Sequence, residues 1–243
     1  VMGLTSMSTG ARILNHCGLN IEKETEQDRI VALAGNPNVG KSTVFNSLTG
    51  LKQHTGNWPG KTVTNAQGKY RYKNNNYIMV DIPGTYSLMA NSAEEEVARD
   101  FICFGGPDAV VVVADATCLE RNLNLVLQTM EITENVVLCV NLMDEAKKKK
   151  IRIDLNQLAS QLGIPIVGTS ARSGHGLDQL MDAVASLTDG SFKANPLRVT
   201  YSEEIENAVS MVESAVADAL QGKVNSRWIS LKLLDGDESL LRS

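Results

Sequence analysis

The stretch IVALAGNPNVGKSTVFNSLTG, residues 30–50, decides the fold of this chain. At its centre, glycines at 35 and 40 are followed by Lys41 and Ser42, between a strand-like and a helix-like run. Glycine permits the dihedrals that turn backbone N–H groups toward a polyphosphate, and the next helix directs its positive end at the same anion. Lys41 brings a positive charge to the β- and γ-phosphates, and the Ser42 hydroxyl ligates Mg²⁺. The stretch therefore predicts a phosphate loop that binds a nucleoside triphosphate.

Apolar strand-like runs alternate with helical patterns from residue 29 onward. The strand-like runs are IVALA (30–34), YIMVD (77–81), DAVVVVAD (108–115), NVVLCVN (135–141) and IPIVGTS (164–170). The helical patterns cover 42–49, 93–104, 119–133, 155–162 and 177–187. This alternation predicts an α/β fold with a mostly parallel sheet of six or seven strands, covered on both faces. The stretch 67–73, joined to YIMVD by the asparagine turn 74–76, predicts one antiparallel edge pair.

The pattern changes after DGSFKANP at 189–196. Residues 204–220 and 226–234 have helical apolar spacing, with Ser202 as a predicted N-cap and Gly222 and Gly236 as predicted ends. The last five residues, SLLRS, predict the start of a third helix, whereas the polar start of the chain predicts a partly ordered segment. We therefore divide the chain into a lead-in over 1–28, a nucleotide-binding domain over 29–190 and an all-helical domain over 197–243.

The composition excludes several classes of protein. The 243 residues are 43% hydrophobic with a net charge of −5, which suffices for a full core and gives no support to a nucleic-acid partner. The basic run KKKK at 147–150 is interpreted as a solvated loop or helix start.

The four cysteines lack a C-x-x-C pair and the three histidines do not cluster with carboxylates, so we predict a reduced, intracellular protein with no iron site here. No run approaches the roughly 18 apolar residues that span a bilayer, and no secretory signal is recognised.

A second group of short motifs follows the phosphate loop. Asp81-Ile-Pro-Gly84 ends a strand, which places Asp81 to hold Mg²⁺ through water and the Gly84 N–H to meet the γ-phosphate. Thr62, between the phosphate-loop helix and the edge strand, is placed as a switch threonine that contacts Mg²⁺ and the γ-phosphate. D-x-x-G occurs by chance in many turns, but this copy falls at the carboxyl end of a strand, where ligands bind in such sheets.

Base recognition is predicted at the ends of the next two strands. Asn141-Leu-Met-Asp144 places a carboxylate that accepts from the N1–H and 2-amino groups of guanine, two donors that adenine lacks. Backbone N–H groups of the T-S-A stretch at 169–171 are placed to reach the guanine O6. These motifs predict GTP rather than ATP. Leu142 stands where the usual N-K-x-D motif has lysine, so we expect weaker affinity and the same base.

Two positions concern catalysis. Thr85 stands directly after D-x-x-G, where many small GTPases carry the glutamine that orients the attacking water, and Tyr86 follows it. We therefore expect slow hydrolysis or another means of stabilising the transition state. Asn38 has two interpretations: its side-chain oxygen ligates a monovalent cation beside the phosphates, or it satisfies its own turn. The spacing alone leaves both open.

Five stretches together resemble one known family. They are GNPNVGKSTVFNSLTG (35–50), GNWPGKTVT (56–64), DIPGTYSL (81–88), NLMD (141–144) and RWISLKLLDGD (227–237). Over about residues 29–243 the chain resembles the N-terminal cytosolic G domain and appended helical domain of the ferrous-iron transporter B family (FeoB). The resemblance implies a P-loop GTPase fold and a GTP-hydrolysing switch domain that regulates Fe(II) uptake.

The resemblance also implies ligands, partners and a location. The ligands are GTP or GDP, Mg²⁺ and K⁺, and the partner is the transmembrane region of the same full-length protein. The domain then lies on the cytoplasmic side of a bacterial inner membrane, and the fragment alone is soluble. The helical domain favours GDP retention and links the G domain to the transmembrane part. No nucleic-acid partner is expected, and a homo-oligomer is left open.

The family resemblance assigns roles residue by residue. Residues implied to bind nucleotide are Gly35, Asn36, Pro37, Asn38, Val39, Gly40, Lys41, Ser42, Thr43, Gly60, Lys61, Thr62, Asp81, Gly84, Asn141, Met143, Asp144, Thr169, Ser170 and Ala171. Residues implied to ligate Mg²⁺ are Ser42, Thr62 and Asp81. Residues implied to hold K⁺ are Asn38, through its side chain, and Gly56 and Trp58, through their carbonyls. Residues with an implied catalytic role are Asn38, Lys41, Thr62 and Gly84.

Two alternatives share these motifs. A ribosome-assembly GTPase has the same phosphate-loop asparagine but predicts a basic RNA-binding appendage, whereas the tail here is helical and not basic. A nucleotide-sensing binding module with negligible turnover agrees with the missing glutamine after D-x-x-G.

Overall fold

The computed structural model describes residues 12–16, 19–50, 53–221 and 224–237. Its strands are β1 (Arg12–His16), β2 (Leu19–Lys23), β3 (Arg29–Gly35), β4 (Gln53–Asn57), β5 (Thr64–Tyr72), β6 (Asn75–Asp81), β7 (Ala109–Asp115), β8 (Val136–Asn141) and β9 (Ile166–Gly168). Its α-helices are α1 (Lys41–Thr49), α2 (Ala93–Phe104), α3 (Leu119–Ile132), α4 (Met143–Lys148), α5 (Leu155–Leu162), α6 (Leu177–Thr188), α7 (Glu203–Leu220) and α8 (Ser226–Asp235).

Seven strands form the central sheet, in the order β4-β5-β6-β3-β7-β8-β9. The five strands from β6 to β9 are parallel, and β5 and β4 continue the sheet in antiparallel pairing. Every residue of β8, and every residue of β3 after Arg29, is buried. Because successive side chains of a strand point to opposite faces, this burial requires cover on both faces of the sheet. The predicted mostly parallel α/β sheet with an antiparallel edge is confirmed.

Four elements, β1, β2, β4 and α4, were absent from the sequence prediction. Strand β4 (QHTGN) lies outside β5, so the predicted edge strand is in fact second from the edge. Helix α4 is polar and less than two turns long, and its last two residues are the first two lysines of the KKKK run. All four lysine side chains of that run are exposed. The β1–β2 hairpin lies in the segment for which no strand was predicted. In β2, Leu19 and Ile21 are buried in the core, which holds this strand against the rest of the fold.

The helical tail consists of α7 and α8, as predicted. Arg227 at the start of α8 forms two hydrogen bonds to the Glu206 carboxylate of α7, at 2.8 and 2.7 Å. This guanidinium lowers the pKa of Glu206 to about 2. Ser202 precedes α7 as predicted, although its side chain makes no capping hydrogen bond, and α8 ends at Gly236. Gly222 and the SLLRS segment lie outside the described residues.

Several polar contacts join the tail to the nucleotide-binding domain, including one from the Leu197 N–H to the Leu162 carbonyl at 2.8 Å. The Tyr201 hydroxyl donates to the Glu131 carboxylate of α3 at 2.8 Å, and Arg99 of α2 donates to Asp237 at 3.4 Å. A cavity of about 530 Å³ lies between the two parts, lined by α3, by residues 88–89 and by Trp228 of α8 among others. Among the described residues, no helix is long and apolar enough to span a membrane.

Candidate functional site

The predicted phosphate loop connects β3 to α1 at the carboxyl edge of the parallel strands. Gly40, at the helix start, has φ 83°, and a side chain there would collide with the amide of Asn141. Asn38 also has a positive φ of 66°, a conformation that asparagine tolerates better than most residues. Within the described residues, the backbone N–H groups of Gly40 and Lys41 donate to no protein acceptor, and residues 37 and 38 form a turn. The loop thus presents unpaired donors at a helix N-terminus, which suits a polyphosphate.

Lys41 and Asp81 meet where the phosphates and Mg²⁺ are predicted. The Lys41 ammonium forms an ion pair with the Asp81 carboxylate and donates to the Ile82 carbonyl at 2.7 Å. Burial raises the pKa of Asp81, and the Lys41 charge opposes that shift. The pair thus places a cation and a carboxylate at the positions predicted to meet the phosphates and Mg²⁺.

The second switch segment packs against the phosphate loop. A side chain at Gly84 would lie 3.5 Å from both the N and Cα atoms of Pro37, and the Thr85 N–H donates to the Gly35 carbonyl at 3.2 Å. Thr85 is 4% exposed, so its side chain is turned into the protein. Tyr86 is half exposed and lies beneath the guanidinium of Arg121, 5.5 Å from the ring centre. Thr85 therefore supplies no exposed side chain that could orient water.

The first switch segment is held as a tight turn between β4 and β5. The Trp58 N–H donates to the Val63 carbonyl at 2.7 Å, and the Trp58 carbonyl accepts from the Lys61 N–H at 3.0 Å. The Trp58 indole is buried against Phe101 of α2, edge to face at 5.3 Å. The Lys61 ammonium pairs with Glu96 of α2 at 2.7 Å. The Trp58 carbonyl, which the family resemblance implies as a K⁺ ligand, therefore accepts a hydrogen bond within this turn.

Thr62 and Gly56, the other two predicted ligands of the first switch segment, lie on either side of Trp58. Thr62 is exposed, and within the described residues it makes no hydrogen bond to Ser42 or Asp81. Gly56 lies in β4 opposite Asn65. The structure thus brings Lys41, Asp81 and Gly84 together at the phosphate loop, whereas Thr62 reaches them only if the first switch moves.

Asn141 is the centre of the predicted base site. Its side-chain nitrogen donates to the Val39 carbonyl of the phosphate loop at 3.1 Å. Its side-chain oxygen accepts from the Thr169 hydroxyl and from the Ala171 N–H, both at 3.1 Å. Asn141 is 1% exposed, so these bonds are shielded from water. The sequence indicated a base reader, and the structure shows that the same amide connects the phosphate loop to the 169–171 loop.

Asp144 lies in the first turn of α4, with its carboxylate at an exposed position. Its N–H donates to the Ser170 hydroxyl at 3.2 Å, and the Met143 N–H donates to the Thr169 carbonyl at 3.1 Å. Asp144, Met143 and Ser170 line part of a cleft of about 1080 Å³. Leu142 has φ 62°, which turns the chain from β8 into α4. The two loops predicted to read the base are thus fastened to each other.

This architecture defines a G domain of the P-loop class with an appended helical segment. The model of the family described as Ferrous iron transport protein B matches residues 29–184, and that of the FeoB cytosolic helical domain matches residues 201–243. The chain belongs to the ferrous iron transport protein B (FeoB) family. The second match assigns the tail to a FeoB helical domain, which removes the support for a ribosome-assembly GTPase.

The chain is similar to curated and solved members of this family. It is 39% identical over 216 residues to an Fe(2+) transport protein A/Fe(2+) transporter FeoB fusion protein of Porphyromonas gingivalis, covering 87% of this chain and 26% of that protein. The cytosolic domain of the T. maritima FeoB iron transporter in apo form is 38% identical, with a TM-score of 0.80 and coverage of 88% and 84%. Its GDP form I is 39% identical, with a TM-score of 0.79 and coverage of 88% and 82%. The chain spans about a quarter of the length of the curated relatives it matches.

Proposed function

We propose that this chain is the GTP-binding and GTP-hydrolysing switch domain of a ferrous-iron membrane transporter. The observation that carries the proposal is the Asn141 amide, because its hydrogen bonds join the phosphate loop and the predicted base loop into one site. Residues 29–190 form the G domain, residues 197–243 form the helical domain, and the transmembrane region of the longer protein is the partner. The relatives solved with GDP support the choice of nucleotide.

The residues of the site fit a hydrolytic mechanism. The unpaired N–H groups of the loop and the Lys41 ammonium hold the β- and γ-phosphates and stabilise the charge that spreads over the γ-phosphoryl oxygens as water attacks. Ser42 is exposed and the Asp81 carboxylate is adjacent to Lys41, so both side chains fit Mg²⁺, which would neutralise phosphate charge when bound. The exposed Asn38 fits K⁺ as an additional positive charge. Thr62 and the Gly84 N–H contact the γ-phosphate only when GTP is bound, so the positions of the two switch segments depend on the nucleotide state.

A second candidate function is a binding switch that needs an outside activator. It is favoured by the buried side chain of Thr85, which leaves the position after D-x-x-G without a group to orient water. Turnover measurements separate the two functions.

The test of the proposal is GTP turnover at fixed Mg²⁺ in K⁺ and in Na⁺. We expect K⁺ to stimulate the wild-type chain, and Asn38→Ala to reduce that stimulation roughly tenfold or more, because a positioned charge beside the phosphates is lost. Asn207→Ala, an exposed change on α7, is the control and keeps the wild-type response. Equal slow rates in both salts and in all variants would reject the K⁺ mechanism and favour the binding switch.

Replacing the predicted base reader changes the nucleotide preference. Asp144→Asn replaces a carboxylate, which only accepts hydrogen bonds, with an amide that also donates. The variant therefore loses its pair of bonds from the guanine N1–H and 2-amino groups and gains a match to xanthine, which has a carbonyl in place of the 2-amino group. We expect GTP affinity to fall by roughly 10² and xanthosine triphosphate to become the better ligand. Competition binding measures both, with Glu145→Gln on the same helix as the control. Unchanged GTP affinity in Asp144→Asn would show that another group reads the base.

A further inference from the structure

The side chain of Asn36 in the phosphate loop is buried without a visible role. It is 2% exposed, and neither its amide nitrogen nor its amide oxygen has a hydrogen-bond partner. Among the described residues it is the one side chain with two buried polar atoms left unpaired. A buried amide in this state is unfavourable, because the hydrogen bonds it made to water are not replaced. An apolar side chain would avoid this penalty, so the asparagine calls for a functional explanation.

Asn36 differs from Asn38, the other asparagine of the phosphate loop, in the burial of its side chain. Asn38, two residues later, is exposed at the loop surface where a cation is proposed, whereas Asn36 is enclosed by protein. Gly84 of the second switch lies beside the peptide that joins Asn36 to Pro37, since a Cβ added to Gly84 would be 3.5 Å from the Pro37 nitrogen. The neighbouring Thr85 N–H is bonded to the Gly35 carbonyl at 3.2 Å. The start of the second switch is therefore a close neighbour of the Asn36 backbone.

We propose that Asn36 is a positioning residue that holds the second switch in the triphosphate state. The inference rests on the proposed GTP switch, in which the Gly84 N–H turns to the γ-phosphate. That movement changes the position of the 84–85 backbone relative to the phosphate loop, and the Asn36 amide then pairs with backbone groups of this segment. A primary amide suits this task, because it offers one acceptor and two donors to the N–H and C=O groups of a peptide.

This role of Asn36 gives the chain a preference for GTP over GDP that does not come from a contact between Asn36 and the nucleotide. A residue that is unpaired in one state and paired in the other shifts the equilibrium toward the paired state. GDP lacks the γ-phosphate to which the Gly84 N–H turns, so the 84–85 backbone keeps its present position and Asn36 stays unpaired with GDP bound. Asn36 thus adds to triphosphate affinity and leaves diphosphate affinity unchanged.

The test compares Asn36→Leu, which removes both polar groups at similar volume, with the wild-type 243-residue chain. We expect the nucleotide-free melting temperature to stay equal or rise, and GDP affinity to stay within about twofold. Affinity for the non-hydrolysable analogue GMPPNP is expected to fall by roughly tenfold, the effect of one or two lost hydrogen bonds. Asn36→Ala, which adds no methyl groups, serves as the second variant if leucine prevents folding. Asn207→Leu on the exposed face of α7 is the control and changes none of the three values.

Two results would overturn the inference while leaving the proposed function intact. Equal losses of GDP and GMPPNP affinity would assign Asn36 to the shape of the loop. A lower melting temperature without nucleotide, with the GMPPNP-to-GDP affinity ratio unchanged, would show that the amide is already satisfied, for example by a buried water. If the wild-type chain binds neither nucleotide, both this inference and the proposed function fail.

Discussion

Lys41→Met is expected to weaken GTP binding by a factor of about 10² to 10⁴. The Lys41 side chain is 11% exposed, so its ammonium meets the phosphates in a partly dehydrated site where charge-assisted hydrogen bonds are strong. Loss of two such bonds, at about 1.5–3 kcal/mol each, accounts for the expected factor. Methionine keeps most of the side-chain volume, so the effect reports the charge. Titration with a fluorescent GTP analogue measures it.

The control for this prediction is Lys69→Met. Lys69 pairs with Glu24 at the surface at 2.6 Å, and both side chains are largely exposed. Its removal should leave GTP affinity within about twofold, because exposed ion pairs contribute little. A Lys41→Met affinity within threefold of the wild type would contradict the assignment of residues 35–42 as the phosphate loop.

Arg99→Met is expected to lower the free energy of unfolding by about 3–5 kcal/mol, the usual cost of breaking a buried ion pair. The Arg99 side chain is fully buried, and it donates two hydrogen bonds to Asp100, at 2.9 and 2.7 Å. It also reaches Asp237 beyond α8 at 3.4 Å. Asp100 and Asp237 are only 20% and 14% exposed, so the variant leaves two poorly hydrated carboxylates without this guanidinium. Burial already raises the pKa of Asp100, and loss of Arg99 removes the main opposing charge.

Urea unfolding followed by circular dichroism measures the Arg99 effect. Arg71→Met, on the exposed face of β5, is the control and should change stability by less than about 0.5 kcal/mol. Because Arg99 connects α2 to the end of the tail, hydrogen exchange in α8 should also accelerate more than in β3. A loss below about 1 kcal/mol would show that the Arg99 ion pairs do not support the join between the two domains.

Most of the regular elements could be predicted because their signals are local. Helix α2 has the predicted bounds, and its N-cap Ser92 accepts a hydrogen bond from the Glu95 N–H at 3.2 Å. Helix α5 also has the predicted bounds, with Asp154 as its cap and Gly163 in the left-handed conformation at its end. The buried strands were recognised because strands covered on both faces are apolar along their whole length.

The elements that were missed have no local signal. Strand β4 is polar, its residues from His54 to Asn57 are exposed, and only its pairing with β5 makes it a strand. Helix α4 is too short for a periodic pattern to be recognised. In the β1–β2 hairpin, Leu19 and Ile21 are ordered by burial in a core that other parts of the chain supply.

The sequence by itself determined the fold class, the order of the motifs and the family, because each depends on residue types at short spacing. The tertiary structure alone decided how those residues are used. The Asn141 amide meets Val39 across 102 positions of the chain, and Lys41 meets Asp81 across 40. The burial of Trp58 against Phe101 and the unpaired amide of Asn36 likewise depend on which surfaces the folded sheet brings together. Such contacts form between segments distant in sequence, so no local pattern records them.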